Sequence, residues 1–135
     1  MYGPSHRLVI DDRLLAVEEL ARQKKYDLAR RELASLTAEQ FEQTSVERGI
    51  YLSLSADCAL DAGDYRKVIE LGLAAIHSLA DFAVHQKYGR TMLLLSRAYS
   101  SLGDLKNAEL RAHDALAAYR RASDPGPRVR ERRRA

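Results

Sequence analysis

Residues 62–76 read AGDYRKVIELGLAAI, and residues 102–116 read LGDLKNAELRAHDAL. The two stretches lie 40 positions apart and align without a gap: both have a glycine and an aspartate near the start, and Ala75 falls on Ala115. A fainter copy, QKKYDLARRELASL over residues 23–36, precedes the first stretch by 39 positions. Three copies at a period near 40 residues predict an array of repeated supersecondary units.

The recurring residue types are those that a pair of packed helices needs. Gly63 and Gly103 each follow a helical stretch, where glycine can adopt the left-handed conformation that ends a helix. The aspartate after each glycine can cap the next helix by accepting from its first free amides. The earliest copy has Lys24 and Lys25 instead, which predicts a weaker cap. Small residues near the start of each second helix allow close helix approach; they are Ala29, Val68 and Ala108.

The composition favours helices over strands. The chain has 135 residues, of which 46% are hydrophobic and 30% charged, as in folded globular proteins. Between Pro4 and Pro125 there is no proline, and apolar residues recur at steps of three and four. We therefore predict an all-α fold of six helices. They cover Arg7–Gln23, Tyr26–Leu36, Ser45–Ala62, Tyr65–Leu79, Ala83–Leu102 and Leu105–Ala122.

The stretch from Gly89 to Arg120 resembles a tetratricopeptide repeat (TPR). The matching positions are Leu95, Ala98, Tyr99, Gly103, Asp104, Ala108 and Ala115. The preceding copy matches at its turn but has Ser55 and Ala59 where the family has a leucine and an aromatic residue. Over Leu8–Ala122 the resemblance implies three antiparallel helix pairs stacked as a right-handed superhelix. A period near 40, rather than about 34, is similar to long-helix variants in bacterial signalling and transcription regulators.

These boundaries divide the chain into three parts. Residues 1–6 form an N-terminal extension, residues 7–122 a repeat domain with units near 7–44, 45–82 and 83–122, and residues 123–135 a basic tail. The segment RVRERRRA at 128–135 carries a local charge of +4, so the rest of the chain is near −1. A nucleic-acid-binding fold concentrates basic residues on its body, which argues against that role for the domain. The segment DPGP at 124–127 is typical of a linker and favours a piece of a longer array.

The candidate binding site follows from the resemblance. In TPR arrays the first helix of each pair lines a concave face, where a peptide or partner helix docks. The predicted concave-face residues are Asp11, Leu14, Leu15, Glu18 and Arg22, then Ile50, Ser53, Leu54, Asp57 and Asp61, then Arg90, Leu93, Leu94, Arg97 and Ser101. The pattern of Lys and Asn with which some TPR proteins hold a C-terminal carboxylate is missing.

Leu93 and Leu94 leave two interpretations open. The stripe Met92, Leu95, Ala98 and Tyr99 already supplies an inward face, so both leucines could be exposed for docking. Alternatively, a neighbouring helix buries them. On the first interpretation, replacing Leu94 and Arg97 weakens partner binding and leaves helicity intact.

The sequence contains no pattern that predicts catalysis, a cofactor or a metal. The closest histidines, His77 and His85, are eight residues apart, whereas a helical metal site needs a spacing of three or four. The single cysteine, Cys58, lies among small and apolar residues and is interpreted as a core filler. Phosphate loops, nucleotide fingerprints and nucleophile motifs do not occur.

We therefore expect a non-catalytic protein-interaction module, part of a larger regulatory or assembly protein. No apolar run is long enough to span a membrane, and a cytoplasmic location is the default expectation. Two alternatives remain: nucleic-acid contact through the basic tail of a transcription regulator, and pairing with a second copy. The second alternative comes from Leu110, Leu116 and Tyr119 on the last helix, which nothing in the sequence covers.

Overall fold

The computed structural model describes residues 4–37, 40–41, 45–80 and 86–123, with side chains from Asp12 onward. The described residues form six α-helices and no strand, which confirms the all-α prediction. The helices are α1 (Pro4–Arg22), α2 (Tyr26–Ala34), α3 (Val46–Asp61), α4 (Tyr65–Leu79), α5 (Gln86–Ser101) and α6 (Leu105–Ser123). Helix α1 begins inside the predicted extension. Residues 124–135, with the basic segment, lie outside the described residues.

The same backbone turn ends α1, α3 and α5. One residue in each turn has a positive φ: 61° at Lys24, 77° at Gly63 and 83° at Gly103. The next amide donates to the carbonyl oxygen five residues back, which satisfies a carbonyl at the helix end. These bonds are Lys25 N to Leu20 O (2.8 Å), Asp64 N to Ala59 O (3.0 Å) and Asp104 N to Tyr99 O (2.9 Å). The left-handed glycines predicted from the sequence are confirmed, and a lysine adopts the same conformation in the first turn.

The predicted caps are also found. The Asp64 carboxylate accepts from the Lys67 amide over 3.3 Å, and the Asp104 carboxylate accepts from the Asn107 amide over 3.2 Å. The Asn107 side chain donates to Asp104 as well, and these bonds lower the pKa of Asp104. Lys25 makes no side-chain cap on α2. Helix α2 therefore starts without the carboxylate that α4 and α6 have.

Helices that follow one another in sequence pack together, and α3 also packs on both α1 and α5. Helices α1, α3 and α5 contact one another in that order, and α2 and α4 each contact the helix that follows. The buried apolar residues of the described chain form three clusters, which contain Val17, Val68 and Leu95 respectively. The small residues predicted to permit close packing are all buried; they are Ala29, Val68, Ala75, Ala108 and Ala115.

Two glycines allow a second type of close approach. A Cβ atom built on Gly49 would lie 2.5 Å from Leu79 Cγ, and one built on Gly89 would lie 3.2 Å from the ring of Tyr119. The two glycines are 40 residues apart, and so are Leu79 and Tyr119. The same contact therefore joins the start of α3 to the end of α4 and the start of α5 to the end of α6.

Candidate interaction surface

The structure places the predicted concave-face residues in two environments. Five of them are buried and cannot contact a partner; they are Leu14, Ser53, Leu54, Asp57 and Leu94. Ile50 is half-buried and packs against the first core cluster. The side chain of Asp11 lies outside the described residues. The remaining members are at least partly exposed; they are Leu15, Glu18, Arg22, Asp61, Arg90, Leu93, Arg97 and Ser101.

The two adjacent leucines on α5 differ in exposure. Leu93 is 38% exposed, whereas Leu94 is 4% exposed and packs with Val68 and Ala98 in the second cluster. Helix α4 covers Leu94, a contact that the spacing of apolar residues on α5 did not reveal. Of the two interpretations left open, burial by a neighbouring helix applies to Leu94 and exposure applies to Leu93, so we expect replacement of Leu94 to destabilise the fold.

Asp57 joins three helices. Its carboxylate accepts a hydrogen bond from the Tyr26 hydroxyl over 3.3 Å and pairs with Arg90 over 2.7 Å. The Asp57 side chain is only 6% exposed, while that of Arg90 is 49% exposed. Burial and the neighbouring Asp57 charge raise the pKa of Tyr26, so its hydroxyl stays protonated and remains a donor. Two residues predicted as binding groups thus act in packing α3 against α2 and α5.

Two further polar contacts connect the first helices. The buried hydroxyls of Ser53 and Thr91 share a hydrogen bond of 2.8 Å between α3 and α5. Glu18 on α1 forms an ion pair with Lys87 on α5, although 69 residues separate them. This ion pair links α1 to α5 through two long side chains. None of these partners was predicted, because such pairing depends on how the helices stack.

The other acidic residues near this face are also paired. Asp61 binds Arg30 over 2.8 Å, and Arg30 also donates to the carbonyl oxygen of Cys58. Arg22 pairs with Glu19 over 3.2 Å, and both side chains are exposed. By contrast, the described part of the chain provides no ion-pair partner for Arg97.

Arg97 and Ser101 line a recess of about 510 Å³ between α3, α4 and α5. The other lining residues are Leu60, Tyr65, Ser96 and Ser100. Ser96 donates its hydroxyl to the Ala108 carbonyl, which leaves its oxygen able to accept. The recess therefore combines one cation, hydroxyl groups and two apolar side chains, with no acidic residue in its lining. Leu60 and Tyr65 were not among the predicted site residues, because they lie on α3 and α4 and reach the recess only through helix packing.

The residues that the structure describes contain no group of three or more His, Cys, Asp or Glu side chains placed to hold a metal ion. Burial raises the pKa of the Cys58 thiol to about 11, so the thiol is protonated at neutral pH. In the described ranges no helix is long and apolar enough to cross a membrane.

Comparisons with protein-family models, with curated proteins and with solved structures found no match. The interpretation of the surface therefore depends on the geometry of this chain.

Proposed function

We propose that this chain is a non-catalytic protein-interaction module built as three antiparallel helix pairs in a right-handed, TPR-like superhelix. The turn geometry supports this proposal, because the same hydrogen bond recurs after α1, α3 and α5. The order of helix contacts supports it too, since α1 packs on α3 and α3 packs on α5. Stacked helix pairs place their first helices side by side in this way, and the surface they share is where partners dock.

The observation that carries the proposal is the Arg97 recess, whose cation has no ion-pair partner among the described residues. Most other charged residues on the first helices satisfy one another within the chain, whereas Arg97 is exposed beside Leu60, Tyr65 and Ser101. A guanidinium group binds carboxylates strongly and with defined geometry. The partner is therefore a peptide or helix that presents an acidic residue next to an apolar one. The module serves as an adaptor or scaffold within a larger regulatory or assembly protein.

Peptide selection tests this function directly. Random peptides displayed on phage are selected against the chain, and the enriched sequences are measured as synthetic peptides by fluorescence anisotropy. We expect enrichment of aspartate or glutamate beside an apolar residue. Charge reversal by Arg97→Glu should weaken binding of those peptides by about tenfold or more, because it places two like charges together.

Arg66→Glu is the matched control, because Arg66 is an exposed arginine on α4 outside the recess. This variant should bind the selected peptides as the unchanged chain does. An equal loss of affinity in both variants would mean that the effect comes from net charge and not from the recess. Failure to enrich any peptide, or affinity that Arg97→Glu leaves unchanged, would contradict the proposed function.

A further inference from the structure

A second cavity lies on a different part of the molecule, between α2, α3 and α4. Its volume is about 460 Å³, within the range of small-molecule sites in proteins. Leucines from all three helices form much of the wall; they are Leu33, Leu36, Leu52 and Leu71. Ser55 and Cys58 on α3 add two small polar groups. The cavity shares no lining residue with the Arg97 recess.

Two short side chains on α3 explain the cavity. Ser55 and Ala59 stand 40 residues before Leu95 and Tyr99, at the two positions where the sequence departs from the repeat pattern. Leu95 is fully buried between α4 and α5, so tightly that a Cβ atom built on Gly72 would lie 2.6 Å from Leu95 Cδ2. The equivalent space beside α3 has no such side chain to fill it. Apolar walls around an unfilled volume forgo contacts that a ligand can restore.

The polar groups of the cavity define what it can recognise. The Ser55 hydroxyl donates to the Tyr51 carbonyl over 2.9 Å, so its oxygen has lone pairs left to accept a hydrogen bond. Arg30 at the edge is already neutralised by Asp27 and Asp61, over 2.9 and 2.8 Å. Lys67 and Asp64 contribute one charge of each sign. Asp64 and Lys67 are exposed, and Arg30 is held by two carboxylates, so the wall of the cavity offers mainly apolar side chains, with the Ser55 oxygen beside them as an acceptor.

We propose that this cavity binds an uncharged, ring-sized apolar molecule that carries a single hydrogen-bond donor. The ring lies against the leucine walls, and its N–H or O–H donates to Ser55 Oγ. This site is independent of the acidic partner proposed for the Arg97 recess.

Indole and 1-methylindole test the proposal, because they share a ring system and only indole has an N–H donor. Binding to the whole chain is measured by isothermal titration calorimetry. Indole should bind with saturation, and Ser55→Leu, which fills the space as Leu95 does between α4 and α5, should abolish binding. Ser55→Ala keeps the space and removes the acceptor. It should weaken indole by about fivefold to tenfold and leave 1-methylindole unchanged.

Ser123→Leu is the control, because Ser123 is exposed at the end of α6 and lines neither the cavity nor the Arg97 recess. Circular dichroism and thermal unfolding establish that each variant is folded. Absence of saturable indole binding to the folded chain would overturn the proposal, and so would equal affinity in the unchanged chain and Ser55→Leu. Indole affinity that Ser55→Ala leaves unchanged would overturn the assigned hydrogen bond. Light scattering tests for a different occupant. If the chain is a dimer and Ser55→Leu dissociates it, a side chain of a second copy occupies the cavity, and the proposal is overturned.

Discussion

The role of Asp57 in the structure differs from the role that its position in the sequence suggested. Its position on a first helix suggested a binding group, yet its carboxylate is enclosed and accepts from both Tyr26 and Arg90. Burying a carboxylate is costly unless hydrogen bonds and an opposite charge replace its water. Tyr26 and Arg90 supply both, and they come from α2 and α5. The residue therefore links three helices instead of recognising a partner.

Replacing Arg90 tests this role. Arg90→Met keeps much of the side-chain volume but leaves the buried Asp57 carboxylate with the Tyr26 hydroxyl alone. We expect the free energy of unfolding, measured by urea denaturation, to fall by about 1–3 kcal/mol. Arg97→Met is the matched control on the same helix and should have almost no effect, because Arg97 is exposed and unpaired among the described residues.

A second substitution distinguishes charge from packing. Asp57→Asn removes the buried charge, so in the Arg90→Met background it should recover part of the lost stability. If the double variant is no more stable than Arg90→Met, the loss comes from packing and the assigned role of the ion pair is wrong.

At the scale of the helical elements, the three turns differ in one informative way. Glycine occupies the left-handed position in two of them, and a Cβ atom on Gly63 or Gly103 would meet nothing within 4 Å. These glycines are therefore required for backbone conformation and not for space. Lys24 adopts the same conformation at φ 61° with a side chain, which is unfavourable for an L-residue. Together with the missing cap at Lys25, this makes the α1–α2 turn the least favourable of the three.

Lys24→Gly should therefore stabilise the chain. Glycine removes the backbone strain of a lysine in the left-handed conformation, and this gain outweighs the extra entropy that glycine gives the unfolded state. We expect the free energy of unfolding to rise by about 0.5–1 kcal/mol. Lys25→Gly is the control, because Lys25 has a φ of −90° and needs no glycine. Thermal unfolding of both variants decides the matter: a gain in Lys25→Gly as large as that in Lys24→Gly would exclude backbone strain as the cause.

At the scale of the whole molecule, the residue pattern of one helix does not show which of its faces packs against which neighbour. Helix α5 contacts α3, α4 and α6, and six of its residues are buried. Leu94 is covered by the second cluster, Leu95 lies in the third cluster, and Leu93 remains at the surface. Three consecutive leucines thus have three different surroundings.

The adjacent pair Leu93 and Leu94 provides a test of this arrangement. Leu94→Ala removes buried contacts between α4 and α5, and we expect the free energy of unfolding to fall by about 2–4 kcal/mol. Leu93→Ala shortens a partly exposed side chain and should cost about 1 kcal/mol or less. Urea denaturation of both variants under the same conditions makes the comparison. Equal losses would mean that the contact between α4 and α5 is not as described.

Local features of the fold were predictable because they depend on residues near one another in the chain. Six helices, the left-handed glycines and the aspartate caps follow from periodicity, propensity and turn chemistry, and the structure has all of them. The candidate site was predictable only in part. Arg97 and Ser101 are exposed in one recess, whereas Leu54, Asp57 and Leu94 are buried because other helices cover them.

The sequence by itself determined that the described part of the chain is helical, where the three glycine- or lysine-containing turns fall, and which residues repeat at 39 and 40 positions. It also marked Ser55 and Ala59 as departures from the repeat pattern. Only the tertiary structure decided that these departures leave a cavity, that Arg90 pairs with Asp57, and that Arg97 has no ion-pair partner among the described residues. The reason is physical: turns and caps are set by local hydrogen bonds, whereas burial and charge pairing depend on which distant helix faces each side chain.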